Sequence, residues 1–424
     1  MDAISKFLIE PLQYEFIQRA LIASLIIGAS CGLIGTYIML RRMSLLGDAL
    51  AHAVLPGVVI SFLIAGKGQI ALFIGAVLSG IVTVLLIGFI NRNSKIKEDT
   101  SIGVVFTGAF ALGILIVSQL KQVHIDLSSY LFGDVLGVST DDIILSAIVL
   151  VVIAASVILF YKQLLITSFD PTMALTIGIS TSVVHYLLMS LLSMTIVSSL
   201  QSVGVILVVA MLITPSATAF LLTDKLKNLL WLSSFFGVLS SVIGLYLSYH
   251  FNYSSGASMV LVGVVIFMLA LIFSPSQGIV SKYIKRLKIS RMNLIEDALK
   301  LLYKSKTSLD KNSAASILSS EFGISKGKAS AAINSILKSG FAELKEGKLF
   351  LTDIGEKKAI KIVKSHRLWE TYITKENISE ENDIHTDAEK YEHILTDDLV
   401  EDLDKELGYP EKDPHGSEIP KVKK

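Results

Sequence analysis

A single cysteine in 424 residues, Cys31, removes two large function classes at once. No intrachain disulfide framework can form, and no Cys-rich zinc site can be assembled. Cys31 lies in an apolar run among glycines, where it reads as a small buried residue. Charge is scarce as well: Asp, Glu, Lys and Arg make up 18%, against 52% hydrophobic residues and a mean hydropathy of +0.63. That scarcity is local. From Met1 to about Val280 the chain is apolar with short polar breaks, and beyond Lys282 it turns rich in Lys, Glu and Asp. The net charge of +1 therefore hides an internal contrast and excludes nothing by itself. No cleavable signal peptide is expected, because Asp2, Glu10 and Glu15 interrupt the start before a full span begins at Ala20. An ATP site is lacking too. The run from Gly323 to Lys328 superficially suggests a phosphate loop, but its spacing is too short, no Ser or Thr follows the lysine, and no strand precedes it. The chain is read as a non-enzyme.

What is present is membrane-length apolar sequence. Stretches of about 20 residues, enough to cross a bilayer, run over Phe16–Leu40, Leu46–Ala65, Ile70–Ile90, Ile102–Leu120, Ile143–Tyr161, Leu175–Val197, Val203–Leu222, Leu229–Tyr249 and Ala257–Phe273. Every second break carries cations: Arg41 and Arg42; Arg92, Lys95 and Lys97; Lys162; Lys225 and Lys227; then Lys282, Lys285 and Arg286. By the positive-inside rule those breaks are cytoplasmic. The amino terminus is then outside and the polar tail inside. The expected architecture is an all-α polytopic membrane domain with eight or nine transmembrane helices over 1–280, followed by a basic linker over 281–291. A cytoplasmic winged-helix domain over 292–360 and a small helical domain over 361–424 complete it.

Several polar positions sit where they are costly. Asp48 and His52 lie four apart, one turn along one helix face. A carboxylate and an imidazole in an apolar span need partners: each other, a proton pathway, or a divalent metal. Glu98 and Asp99 lead a span in from the cytoplasmic side, as expected of a capped helix start. Phe169, Asp170 and Pro171 open a short cytoplasmic helix with Asp as cap and Pro in its first turn. That helix is either punctuation or a docking knob. Gln201 to Thr218 places Pro215 and small polar residues inside a span, which gives a kinked, closely packed helix. Phe132 to Gly137 reads as an outer, re-entrant loop.

In the tail, Ile295–Tyr303 reads as one helix. Ser313–Phe322 and Ser325–Lys338 form a helix pair around Gly323, and Phe341–Leu351 a two-stranded wing turning at Gly347. Helix-turn-helix plus wing is a DNA-reading architecture, and equally a protein-docking one. Lys326, Lys328, Ser330 and Asn334 on the second helix suit phosphate and base-edge contacts. Glu389, Glu392 and His393 stand at helical offsets zero, three and four, so they point one way as a solvated acidic face or as a ligand set. Asp413 and His415 follow.

Ser44–Gly57, Glu98–Gly108, Phe132–Gly137, Phe169–Gly178, Gln201–Thr218 and Ser255–Gly278 together resemble the permease family of bacterial manganese/zinc/iron ABC importers. The resemblance implies a homodimeric pore in the bacterial cytoplasmic (inner) membrane, among lipid. It further implies a separate cytoplasmic ATP-binding subunit and an extracytoplasmic metal-binding protein. Asp48 and His52 match the family's metal ligands, and Phe169, Asp170 and Pro171 its ATPase-coupling segment. The chemistry is compatible: two ligands are too few for a closed site, and a two-fold axis doubles them. Oxygen and nitrogen ligands suit Mn, Fe or Zn and disfavour Cu(I). A proton-coupled carrier is the reading that Asp170 and Pro171 weigh against.

Residues 292–420 resemble the diphtheria-toxin-repressor and manganese-regulator family. That resemblance puts metal ligands at Asp297, His366, Glu389, Glu392 and His393, with Glu370 and His385 at an auxiliary site. Glu389 stands where iron-type members have cysteine. One departure matters: Lys300 occupies a position that is glutamate in the manganese type, and an ammonium repels a divalent cation. The fusion implies a tail that senses cytosolic metal and restrains transport. The alternative is a permease joined to a metal-dependent DNA-binding repressor, freed by proteolysis between Lys282 and Arg291.

Overall fold

The structure, a computed structural model, describes residues 9–66, 68–119, 135–305, 309–376 and 397–421. The chain divides into two compact units, Met1–Lys282 and Tyr283–Lys424.

In the first unit the described apolar stretches are mostly helical. The helices are α1 (Glu15–Leu40), α2 (Ser44–Ala53), α3 (Leu55–Ala65), α4 (Gln69–Asn93), α5 (Glu98–Ser118) and α6 (Thr140–Leu159). Then come α7 (Tyr161–Phe169), α8 (Pro171–Thr176), α9 (Thr181–Val203), α10 (Val205–Phe220), α11 (Leu226–Phe251) and α12 (Ser255–Phe273). Eight spans among the described residues are long and apolar enough to cross a membrane, with α2 and α3 counted as one. The seventh expected span, α10, has 16 residues and falls short of that length. The sixth starts at Thr181 rather than Leu175, because Leu175 and Thr176 belong to the short helix α8. The helix start expected at Glu98 and Asp99 is present but has no side-chain cap. Lys97 takes the cap position without a side-chain hydrogen bond, and Glu98 and Asp99 stand in the first turn, where their charge complements the helix dipole.

Small residues decide how these helices meet. A Cβ placed on Gly28 would lie 2.7 Å from the backbone of Gly237, so α1 and α11 touch main chain to main chain. Thr36 Oγ1 lies 2.9 Å from Ser233 Oγ across the same seam. Between apolar helices surrounded by lipid, close packing and such hydroxyl contacts replace the hydrophobic drive available in water. Around this seam α1 also packs on α10 and α6, while α2 packs against α5, α9 and α10. The core includes Ile34, Tyr37, Leu50, Ile153, Leu188 and Ile196, all fully buried. Outward faces carry Ile64, Phe89, Ile158 and Leu159, exposed as lipid-facing residues should be. Of the expected re-entrant loop, residues 132–134 lie outside the described residues, and Gly137 ends a single 3₁₀ turn.

The second unit is built around the carboxyl half of α13 (Ile279–Lys304). This helix is longer than the expected Ile295–Tyr303 and takes in the basic stretch 281–291. It is followed by α14 (Lys311–Glu321), α15 (Lys326–Lys338), β1 (Ala342–Lys345), β2 (Lys348–Leu351), α16 (Asp353–Glu376) and α17 (Asp397–Glu406). β1 and β2 pair antiparallel, Ala342 opposite Leu351 and Lys345 opposite Lys348. The two residues between them, Glu346 (φ 52°) and Gly347 (φ 77°), both lie left-handed, as the tightest hairpin turn demands. Leu349 N–H donates to Leu309 O at 2.8 Å, which adds a third short extended segment. Ala298, Leu299, Leu318, Ile333, Ile336, Leu349 and Ala359 make one core. Leu368, Val400, Leu403 and Ile419 make a second, smaller one.

Candidate functional site

α2 buries Leu46, Ala49, Leu50, Ala51 and Ala53 and leaves Asp48 outward. Its end is set by Pro56. A proline has no N–H, so the carbonyl of residue 52 loses the donor that helix continuation would supply. The chain passes through Val54 and restarts as α3, with Pro56 in the first turn. His52 therefore stands on the last turn before a break, and Asp48 one turn earlier.

The pair is close but not joined. His52 Nε2 lies 3.7 Å from Asp48 Oδ1, with side chains 22% and 53% exposed. That gap exceeds a hydrogen bond. The imidazole is wedged against two rings of α5, Phe106 (centroids 6.1 Å apart) and Phe110 (5.3 Å, edge-on). Its Nδ1 is buried without a hydrogen-bond partner among the described residues. A mutually satisfied Asp–His pair should be shorter and leave no ring nitrogen stranded. Around a divalent ion, ligand atoms about 2.1 Å from the metal stand about 3.4 Å apart on a tetrahedral edge. The observed gap is near that value. Among the described residues no three or more metal-ligating side chains gather. Nothing local to His52 in the sequence announces Phe106 and Phe110 as its neighbours. Their four-residue spacing on an apolar helix is a recognisable one-face signal.

A second feature is held by Arg41, the residue that caps the end of α1. Its guanidinium donates to Thr167 Oγ1 at 2.7 Å and to Ser168 Oγ at 3.3 Å, both on α7. α7 leads directly into α8, where Asp170 Oδ1 accepts the Met173 N–H at 2.9 Å and Pro171 fills the first turn. The expected capped short helix is thus present. α8 presents Met173 and Leu175, and the residues flanking it Phe169 and Ile177, with more than half of each exposed. Four exposed apolar side chains on and beside one short capped helix are a ready contact patch. A cavity of about 470 Å³ next to it is lined by Arg41, Arg42, Arg92, Glu98, Pro171 and His185. In the sequence Arg41 is only a topology signal, and nothing in its spacing announces the link to α7.

In the second unit Asp297, Lys300, His366 and Glu370 are all buried. Lys300 Nζ lies 3.2 Å from His366 Nδ1, and His366 Nε2 lies 3.1 Å from Glu370 Oε1. The other expected ligands, His385, Glu389, Glu392 and His393, lie outside the described residues. On α15, Lys326, Lys328 and Asn334 are exposed and Ser330 is half-buried, while Ala329, Ala332, Ile333 and Ile336 face the core. Asp413 accepts from the backbone N–H groups of His415 and Ser417 and pairs with Arg367 at 3.5 Å, which gives it a structural role in a turn.

Comparison with known proteins follows this division. The model of the ABC 3 transport family matches residues 13–274. That of the iron dependent repressor, metal binding and dimerisation domain, matches 352–421. The manganese transport system membrane protein MntC of Halalkalibacterium halodurans is 47% identical over 283 residues, 67% of this chain and 96% of that protein. A probable iron transport system membrane protein of Haemophilus influenzae is 46% identical over 268 residues, 63% of this chain and 97% of that protein. Among solved structures, PsaBC from Streptococcus pneumoniae in complex with Fab is similar with a TM-score of 0.59 and 42% identity. That match covers 65% of this chain and 97% of the other.

Proposed function

The chain belongs to the ABC 3 transport family, and from that membership we propose that it is the permease subunit of an ATP-driven importer of divalent transition-metal ions. Manganese is the foremost cargo, since relatives named for manganese transport are 47% and 51% identical to this chain. The same ligand types admit iron and zinc. The observation that carries the reading is Asp48 facing His52 across 3.7 Å, with His52 Nδ1 unpartnered among the described residues, on a helix broken at Pro56. Two such chains about a two-fold axis supply two carboxylates and two imidazoles. The carboxylates neutralise the ion, which lowers the cost of holding it at membrane depth. The extracytoplasmic binding protein delivers the ion from the side opposite the cation-rich loops. A cytoplasmic ATP-binding subunit sits on the exposed face of Phe169, Met173, Leu175 and Ile177. Arg41 then carries displacement of α7 and α8 to the end of α1 and the start of α2, the helix that bears the ligands.

The test is uptake of radiolabelled manganese by cells that co-express the chain with its ATP-binding and metal-binding partners. Asp48→Asn and His52→Ala should each lower uptake by about 100-fold or more, since loss of mere supporting groups at metal sites already costs roughly 10- to 100-fold. Undiminished uptake in both variants, at equal membrane expression, would sink the assignment. A second reading, a permease joined to a DNA-binding module, is favoured by one observation: Lys326, Lys328 and Asn334 all lie exposed along α15.

A further inference from the structure

We infer that Lys300 is the resident cation of the tail's core, so that the second unit holds α13 to α16 by an ammonium rather than by a metal ion. The domain model matching 352–421 is described as metal binding, and the described residues do not fit that role. The reason lies in the imidazole of His366. An ammonium has three donors and no acceptor, so the 3.2 Å contact from Lys300 Nζ obliges His366 Nδ1 to accept. A neutral imidazole has one acceptor nitrogen, so the ring proton must sit on Nε2. Nε2 lies 3.1 Å from Glu370 Oε1, the geometry of a donated hydrogen bond to a carboxylate. Both ring nitrogens are then engaged, and no lone pair faces a metal.

Burial makes this arrangement consequential. Lys300 and His366 are each 3% exposed and Glu370 2%. Charges so placed persist only when paired and hydrogen-bonded. Asp297, three residues before Lys300 on α13, is also buried. Among the described residues, the fixed positive charge of Lys300, linked through His366 to the Glu370 carboxylate, thus takes the neutralising task of a bound cation. Unlike a bound ion it cannot leave. The contact between α13 and α16 is therefore built into the chain and does not vary with cytosolic metal. This inference does not rest on the transport reading, because all of its residues lie in the second unit.

The experiment uses the purified full-length chain in detergent, with manganese alone as the probe. Hydrogen exchange is followed at backbone amides of 293–304 and 353–376, in EDTA and in excess Mn(II). Protection in the unmodified chain should agree within twofold between the two conditions. A tenfold rise in manganese would overturn the inference. Lys300→Glu should convert the site, so that protection becomes at least tenfold dependent on manganese. Lys300→Met gives a test that survives if that variant does not fold: without the ammonium, protection in EDTA should fall at least tenfold, and unchanged protection would overturn the inference. Bound manganese per chain gives a third readout. His366→Ala should leave the count of the otherwise unmodified chain the same, since ions held in the first unit are common to both, and loss of one ion per chain would refute the resident ammonium.

Discussion

The molecule contains the same sequence device twice, with opposite outcomes. Asp48 and His52, and His366 and Glu370, are each a carboxylate and an imidazole four apart on a helix. In the first unit the pair stands open: the atoms are 3.7 Å apart, Asp48 is half exposed, and His52 Nδ1 has no partner among the described residues. In the second the pair is closed: the atoms are 3.1 Å apart, both side chains are 3% exposed, and Lys300 engages the remaining ring nitrogen. Spacing alone therefore says nothing about whether such a pair binds a metal. What decides is the third group, which is absent among the described residues in one place and is a lysine in the other. A ligand set that must pick up and release a cargo has to remain unsatisfied within one chain, whereas a structural core has to leave nothing unsatisfied.

The contrast can be broken by deleting the histidine from each pair and comparing stability. His366→Ala leaves an ammonium and a carboxylate buried without the ring between them, and removing one member of a buried charged network costs about 3–5 kcal/mol. Unfolding of the second unit, followed by the exchange of its core amides, should shift by an amount of that order. His52→Ala removes a ring with no nitrogen hydrogen-bonded and one side open. Its cost should stay near the roughly 1 kcal/mol typical of point substitutions. Equal losses in the two variants would show that the open and closed geometries are not the real distinction. A smaller effect is expected at α8, where Asp170→Ala removes the hydrogen bond to the Met173 N–H. A lost cap of this kind costs about 1 kcal/mol, enough to fray a six-residue helix and lower manganese uptake several-fold. Asp170→Ser keeps an accepting oxygen and should retain most of the uptake. If Ala and Ser behave alike, the coupling role proposed for α8 does not depend on its cap.

Much of this fold is legible in the sequence, and the limits have physical causes. Span positions follow from apolar length, and the cap of α8 from Asp170 and Pro171, because local chemistry fixes both. The start of α9 is not legible in the same way: Leu175 and Thr176 are as apolar as a span, and only the turn at Gly178 separates them from it. The break after Ala53 follows from Pro56, yet the stranded Nδ1 of His52 does not, since it depends on Phe106 and Phe110 approaching from another helix. Lys300 is conspicuous as a departure at a ligand position. That it engages His366 is not readable, because a lysine at a helix position has no preferred direction in sequence, and 66 residues separate the two.

The smallest expected effect extends the comparison from the pairs to the units that hold them. If the second unit is held by its own lysine, any use it makes of α15 should be indifferent to manganese. Lys326 and Lys328 are exposed at the amino end of that helix, where the helix dipole adds to their attraction for phosphate. Should the unit bind duplex DNA, the double substitution Lys326→Ala and Lys328→Ala removes two phosphate contacts and lowers the dependence of log affinity on log salt by about 2. The purified chain should show this change equally in EDTA and in manganese. Affinity that appears only with manganese would mean that a metal, not Lys300, orders the unit that carries α15. Salt dependence unaltered by the two substitutions would remove DNA as the partner of this face and leave a protein surface in its place. Either result bears on the same question: whether a chain that leaves the Asp48–His52 pair open has closed the His366–Glu370 pair permanently.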